Sequence, residues 1–139
     1  MVDNAKPAGK RRVMIWTVAQ VAAGGAMGAS ARYLTGVTVM RLIGPGFPVA
    51  TMICNVVGSF AMGVLVVILA HFGSTRFAPF LAVGMLGGFT TFSSFSLDAV
   101  TLYERGAMGQ AAFYIFGSVI LSLAALFAGL SIARTLVAS

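Results

Sequence analysis

Acidic side chains are the scarcest chemistry in this chain: Asp3, Asp98 and Glu104 are the three carboxylates among 139 residues. Cysteine, histidine and tryptophan occur once each, as Cys54, His71 and Trp16. Each shortage excludes something. One thiol forms no intrachain disulfide, so Cys54, set inside an apolar run, says nothing about redox compartment. With so few His, Cys, Asp and Glu there is no cluster at metal-ligand spacing and no nucleophile beside a base, so an enzyme is not expected. The glycine-rich stretches lack the lysine of a P-loop and the strand context of a dinucleotide site. A small four-helix exporter that trades protons for cations needs a carboxylate at mid-membrane, and the first apolar segment has none.

Charge of either sign is thin. Charged residues make up 9% of the chain, against about 25% in soluble domains. The hydrophobic share is 59% and the mean hydropathy +0.98, which marks an integral membrane protein. A spanning helix needs about 20 residues, so the length allows four spans, short connections and no extramembrane domain. The net charge of +6 is not a nucleic-acid signal. Lys6, Lys10, Arg11 and Arg12 stand together before the first apolar run, and Arg32, Arg41, Arg76, Arg105 and Arg134 fall near helix ends. That is the distribution membrane topology imposes on cations. With Lys6, Lys10, Arg11, Arg12, Arg76 and Arg134 on one side, against Arg32, Arg41 and Arg105, it favours one orientation.

The expected fold is all-α: a polar basic tail over residues 1–12, then one four-helix transmembrane domain over 13–139, with spans near 13–34, 49–72, 78–103 and 110–137. The basic start and Ala29-Ser30-Ala31 suggest a cleavable signal peptide, but Gln20 and Gly24-Gly25 interrupt its apolar region. Gly24 and Gly28 permit close helix approach. Arg32 reads either as a snorkelling cation or as positive charge at the mouth of an anion path. Gly44-Pro45-Gly46 and Pro48 break the chain before the second span, and Ser74-Thr75-Arg76 makes the next connection. Thr51, Asn55 and Ser59 are spaced by four and share a helix face. Tyr114, Ser118 and Ser122 form a second such stripe. Asn55 stands out, because an amide in lipid must find partners for two donors and two acceptor lone pairs. Packing explains either stripe alone.

Residues 87–96 tip the balance. Gly-Gly-Phe-Thr-Thr-Phe-Ser-Ser-Phe-Ser places paired glycines, five hydroxyls and three phenylalanines in ten uncharged residues. Glycine costs roughly 1 kcal/mol in a helix relative to alanine, and irregular backbone at membrane depth survives only inside protein or against water. The third helix is therefore expected to break near the membrane centre and to handle an ion. Uncharged donors and the positive edges of aromatic rings suit a small anion. Asp98 and His71 receive no role from the sequence. A noncatalytic scaffold, using the glycines and hydroxyls for packing alone, is the alternative, and a small-solute transporter with alternating access is a third.

The chain resembles the Fluc (CrcB-type) fluoride channels of bacteria. The resemblance rests on the 87–96 motif, Cys54-Asn55-Val56-Val57-Gly58, Gly28-x-x-x-Arg32 and Glu104-Arg105-Gly106, and runs from about residue 17 onward. The third-span motif is the specific one. The resemblance implies passive fluoride export through an antiparallel homodimer in the bacterial inner membrane. It implies Asn55 as a fluoride donor, Phe92 and Phe95 as ring-edge groups, Thr51, Tyr114, Ser118 and Ser122 along a polar track, and Arg32 at the vestibule. It also implies a structural sodium ion held by the backbone carbonyls of Gly87 and Thr90.

Overall fold

The computed structural model describes residues 7–73 and 75–138. Ser74 and residues 1–6, Lys6 among them, lie outside the described residues. Helix α1 (Pro7–Ile43) is 37 residues long, so it begins inside the expected tail and runs past the expected end at residue 34. The bilayer limits how many apolar residues a span needs, but it does not end a helix. At 1.5 Å per residue α1 extends about 55 Å, well beyond a hydrocarbon core of about 30 Å. Its first turn opens on Pro7, where a missing N–H costs nothing. It stops where the sequence first forbids a helix, at Gly44 (φ +86°) and Gly46 (φ +137°).

Helix α2 (Val49–His71) follows, and Gly73 at φ +60° turns the chain. The third span is composite. A 3₁₀ turn (Thr75–Phe77) leads into a wide π-helical segment (Pro79–Leu86) and the short α3 (Gly87–Phe89). Thr90 and Thr91 are extended, and α4 (Phe92–Glu104) resumes the helix. Gly106 at φ +75° makes the last turn before α5 (Met108–Ala138).

Two glycine crossings hold these helices together. Along α1, a methyl on Gly24 would meet the Phe80 carbonyl oxygen, and one on Gly28 the Met85 carbonyl oxygen. From the opposing side, a methyl on Gly84 would stand 2.8 Å from the Val21 oxygen, and one on Gly88 2.7 Å from the Gly25 oxygen. Between α2 and α5, Gly63 faces Leu126 and Leu130, and Gly129 faces Phe60. In lipid the tails are as apolar as leucine, so helices associate by close backbone approach and not by hydrophobic burial. Both crossings use that principle.

Four segments are long and apolar enough to cross a membrane: Gly9–Ile43, Val49–His71, Thr75–Glu104 and Met108–Ala138. Large apolar side chains are exposed around the bundle, including Leu42, Phe113, Phe116 and Ile120. Apolar surface on that scale suits lipid.

Candidate functional site

Breaking a helix inside a membrane frees backbone groups that need partners. At Thr91 the partners of both backbone groups come from α2. Asn55 accepts from the Thr91 N–H through Oδ1 (2.8 Å) and donates from Nδ2 to the Thr91 carbonyl (3.1 Å). Thr91 Oγ1 then caps α4 by accepting from the Ser94 N–H at 3.2 Å. Thr90 ties back to the Leu86 carbonyl through both its N–H and its hydroxyl, each at 3.0 Å. Gly58 makes room, since a methyl there would meet Thr90 Cγ2 and approach the Phe89 ring at 3.4 Å. From α1, Arg32 Nε donates to the Gly88 carbonyl at 3.1 Å. Arg32 thus sits on the break itself.

These substitutions leave two carbonyls outside the helical ladder. In a continuous helix the Thr91 N–H would serve Gly87 and the Ser94 N–H would serve Thr90. Here they serve Asn55 Oδ1 and Thr91 Oγ1. Among the described residues no group of three or more His, Cys, Asp or Glu gathers as a metal site. Released carbonyl oxygens are the donors a hard cation takes, so Gly87 and Thr90 fit the sodium expected of them in chemistry.

Beside the break, between α2, α4 and α5, lies a groove of about 470 Å³. It collects five of the eight expected fluoride-pathway residues: Asn55, Phe92, Phe95, Ser118 and Ser122. Asn55 has one further Nδ2 hydrogen beyond the one given to Thr91. Ser118 is 3% exposed, yet its hydroxyl has no hydrogen-bond partner. Other hydroxyls in the chain bond the carbonyl one turn back, as Thr17, Thr35 and Ser96 do. Ser118 does not. A buried, unmade hydrogen bond costs about 1–3 kcal/mol, so Ser118→Ala is expected to leave thermal stability in detergent unchanged or raised while lowering ion flux. A variant that loses stability and keeps its flux would make Ser118 a packing residue.

The two rings are not equivalent. Phe95 is 9% exposed and stacks at a 35° tilt on Tyr114, with 5.3 Å between centroids. Phe92 lies 5.5 Å from Phe95 but is 78% exposed, on the outer lip of the groove. Phe89 is half-buried against Gly58 and α1. His71 is exposed beside Phe72.

Thr51 and Tyr114 belong to a neighbouring cluster that the sequence did not disclose. Asp98 Oδ2 accepts from the Thr51 hydroxyl at 2.7 Å and from the Tyr114 hydroxyl at 3.2 Å. Each hydroxyl has one proton to give, and both go to the carboxylate. Tyr114 is fully buried, with Phe95 on one side and Phe47 edge-on at 5.7 Å. Asp98 therefore holds Tyr114, and Tyr114 supports Phe95. The available signal was the acid itself, since an ionisable residue inside a span is functional by default. Asp98→Ala strands two part-buried hydroxyls and is expected to lower stability by roughly 2–5 kcal/mol. Asp98→Asn keeps an acceptor oxygen and should retain most of it. A thermal melt of both variants in detergent decides this, and equal melting of the two would remove Asp98 from the support of Tyr114.

Residues 19–130 match the sequence profile of the family described as CrcB-like protein, Camphor Resistance (CrcB). The chain belongs to the CrcB family. Among CrcB relatives, a Cereibacter sphaeroides (strain ATCC 17029) protein is 70% identical over 121 residues, covering 87% of this chain and 97% of its own. A Ruegeria sp. (strain TM1040) relative is 59% identical over 122 residues, with 87% and 97% covered. One from Agrobacterium fabrum is 56% identical over 121 residues, with 86% and 97% covered. All three are named fluoride-specific ion channel FluC.

Proposed function

We propose that this chain is a fluoride-specific ion channel, which passively exports the anion and protects against its toxicity. The observation that carries the reading is the groove at the broken third span, whose lining includes both the amide of Asn55 and the buried, unpartnered hydroxyl of Ser118. The names of the CrcB relatives support it. A scaffold has no use for a polar hydrogen stranded at a cost. The function is transport, with no catalytic step.

Fluoride is small and strongly hydrated, so a pore must replace its water with donors. Asn55 Nδ2–H and the hydroxyls of Ser118 and Ser122 supply them, and the positive ring edges of Phe95 and Phe92 add to them without introducing a full charge. A narrow lining then favours the smaller halide. Weak acid enters a cell as neutral HF, dissociates and traps fluoride. An inside-negative potential drives the anion out, at about 2.3 kcal/mol per charge for each 100 mV.

The finer reading is an antiparallel homodimer in the bacterial inner membrane. A second copy would cover the outward face of Phe92. Sodium, held by the Gly87 and Thr90 carbonyls of both copies, would supply fixed positive charge that attracts anions. Arg32 would add to that charge from the far side of the break. Thr51 and Tyr114 act through Asp98, holding the track in shape.

Liposomes loaded with potassium fluoride or potassium chloride and carrying the purified protein test the channel reading. We expect fast fluoride release and no chloride release, followed on ion-selective electrodes. Release of neither ion from folded protein would return the chain to the scaffold class.

A further inference from the structure

One end of the bundle carries cations that nothing among the described residues neutralises. Lys10, Arg11 and Arg12 lie in the first turns of α1, which contain no acidic residue. Arg76 lies at the same end, in the turn that opens the third span. No ion pair forms among the described residues, and the Arg76 guanidinium lies over the Phe77 ring, at 6.0 Å from its centroid. Cations at a helix N-terminus oppose the helix dipole, so this end calls for an external anion.

A groove of about 360 Å³ lies there between α1 and the third span, with Trp16, Gln20, Arg76 and Phe77 in its walls. Lys10 precedes Val13, another wall residue, by three positions, and so falls on the groove face of α1. The flanks are apolar: Trp16 is 72% exposed and Phe77 52%. Deeper in, Gln20 is half-buried and its amide has no partner among the described residues. It lies ten residues beyond Lys10, or about 15 Å along the helix.

We infer that this groove binds the headgroup of an anionic phospholipid. The phosphate sits between Lys10 and Arg76, Trp16 and Phe77 flank the glycerol region as interfacial rings do, and the Gln20 amide, deeper in, donates to an ester carbonyl. Along α1 the order is cation, exposed ring and then amide, which suits a lipid's phosphate, its glycerol region flanked by interfacial rings, and its ester carbonyls in turn. A free soluble anion would use the cations alone and would have no use for the apolar flanks. The site is separate from the fluoride groove and does not depend on the channel reading.

Trp16 is the sole tryptophan, so its emission reports on this groove without labelling. The full-length protein is reconstituted in phosphatidylcholine bilayers, with brominated phosphatidylglycerol or brominated phosphatidylcholine replacing part of the lipid at equal mole fraction. Brominated phosphatidylglycerol is expected to quench Trp16 more strongly. The double variant Lys10→Gln/Arg76→Gln, checked for helicity by circular dichroism, should lower its relative association about 25-fold, or roughly fivefold per cation. High salt applied to the unaltered protein should weaken the preference in the same direction, which keeps the test available if the variant does not fold. Equal quenching by the two lipids overturns the inference, as does a preference indifferent to salt. Loss of the preference on adding inorganic phosphate also overturns it, by making the groove a soluble-anion site.

Discussion

Asn55→Asp is expected to cut fluoride throughput by about two to four orders of magnitude while leaving a foldable protein. Aspartate is nearly isosteric with asparagine and still accepts from the Thr91 N–H, so the 2.8 Å side of the staple survives. The other side fails, because a carboxylate oxygen would face the Thr91 carbonyl where Nδ2 now donates at 3.1 Å. The ion would also meet a negative charge in the groove in place of a donor. Leaving a charge unpaired in such a setting costs roughly 3–5 kcal/mol, which corresponds to about 10²–10⁴ in rate. The check is efflux from liposomes at matched protein content, after size-exclusion confirms a folded species. Unchanged flux would remove Asn55 from the ion path and leave it a structural staple alone.

Gly28→Ala should have the largest effect on assembly. The added methyl would clash with the Met85 carbonyl oxygen, and would lie 2.8 Å from the Phe89 nitrogen. These are backbone atoms of the opposing span, so no rotamer change relieves the clash. The helices must separate, and the Arg32–Gly88 bond, one turn further along α1, separates with them. Overpacking typically costs about 1–3 kcal/mol and sometimes more, and here the loss of the bond adds to it. The expected outcome is low yield of monodisperse protein and no flux. A methyl on Gly36, on the same helix, would meet nothing within 4 Å. Gly36→Ala should therefore be neutral or stabilising by up to about 1 kcal/mol from helix propensity. Comparable behaviour of the two variants would show that the glycine crossing does not set the packing.

The sequence disclosed those parts of the protein that depend on local chemistry. Four apolar runs and their breakers gave the spans, and paired glycines beside clustered hydroxyls gave the break in the third. The length of α1 was not legible beyond residue 34, because a span needs only enough apolar residues to cross lipid. Thr35–Ile43 continue the helix simply because nothing stops them before Gly44. Relations between distant residues were hidden as well. Thr51 and Asp98 are 47 positions apart, and Asn55 and Thr91 are 36 apart. Spacing by four put Tyr114 and Ser118 on one stripe, yet one hydroxyl is bound to a carboxylate and the other has no partner. Only the packing of α4 against α5 distinguishes them.

The measurement that tests the central claim most directly is a bi-ionic current across a planar bilayer, with fluoride on one face and chloride at equal concentration on the other. Selective conduction predicts a reversal potential displaced by about 59 mV for every tenfold of preference for fluoride, and no current with chloride on both faces. A reversal near zero, with current persisting in chloride alone, would contradict a fluoride-selective path at the broken third span.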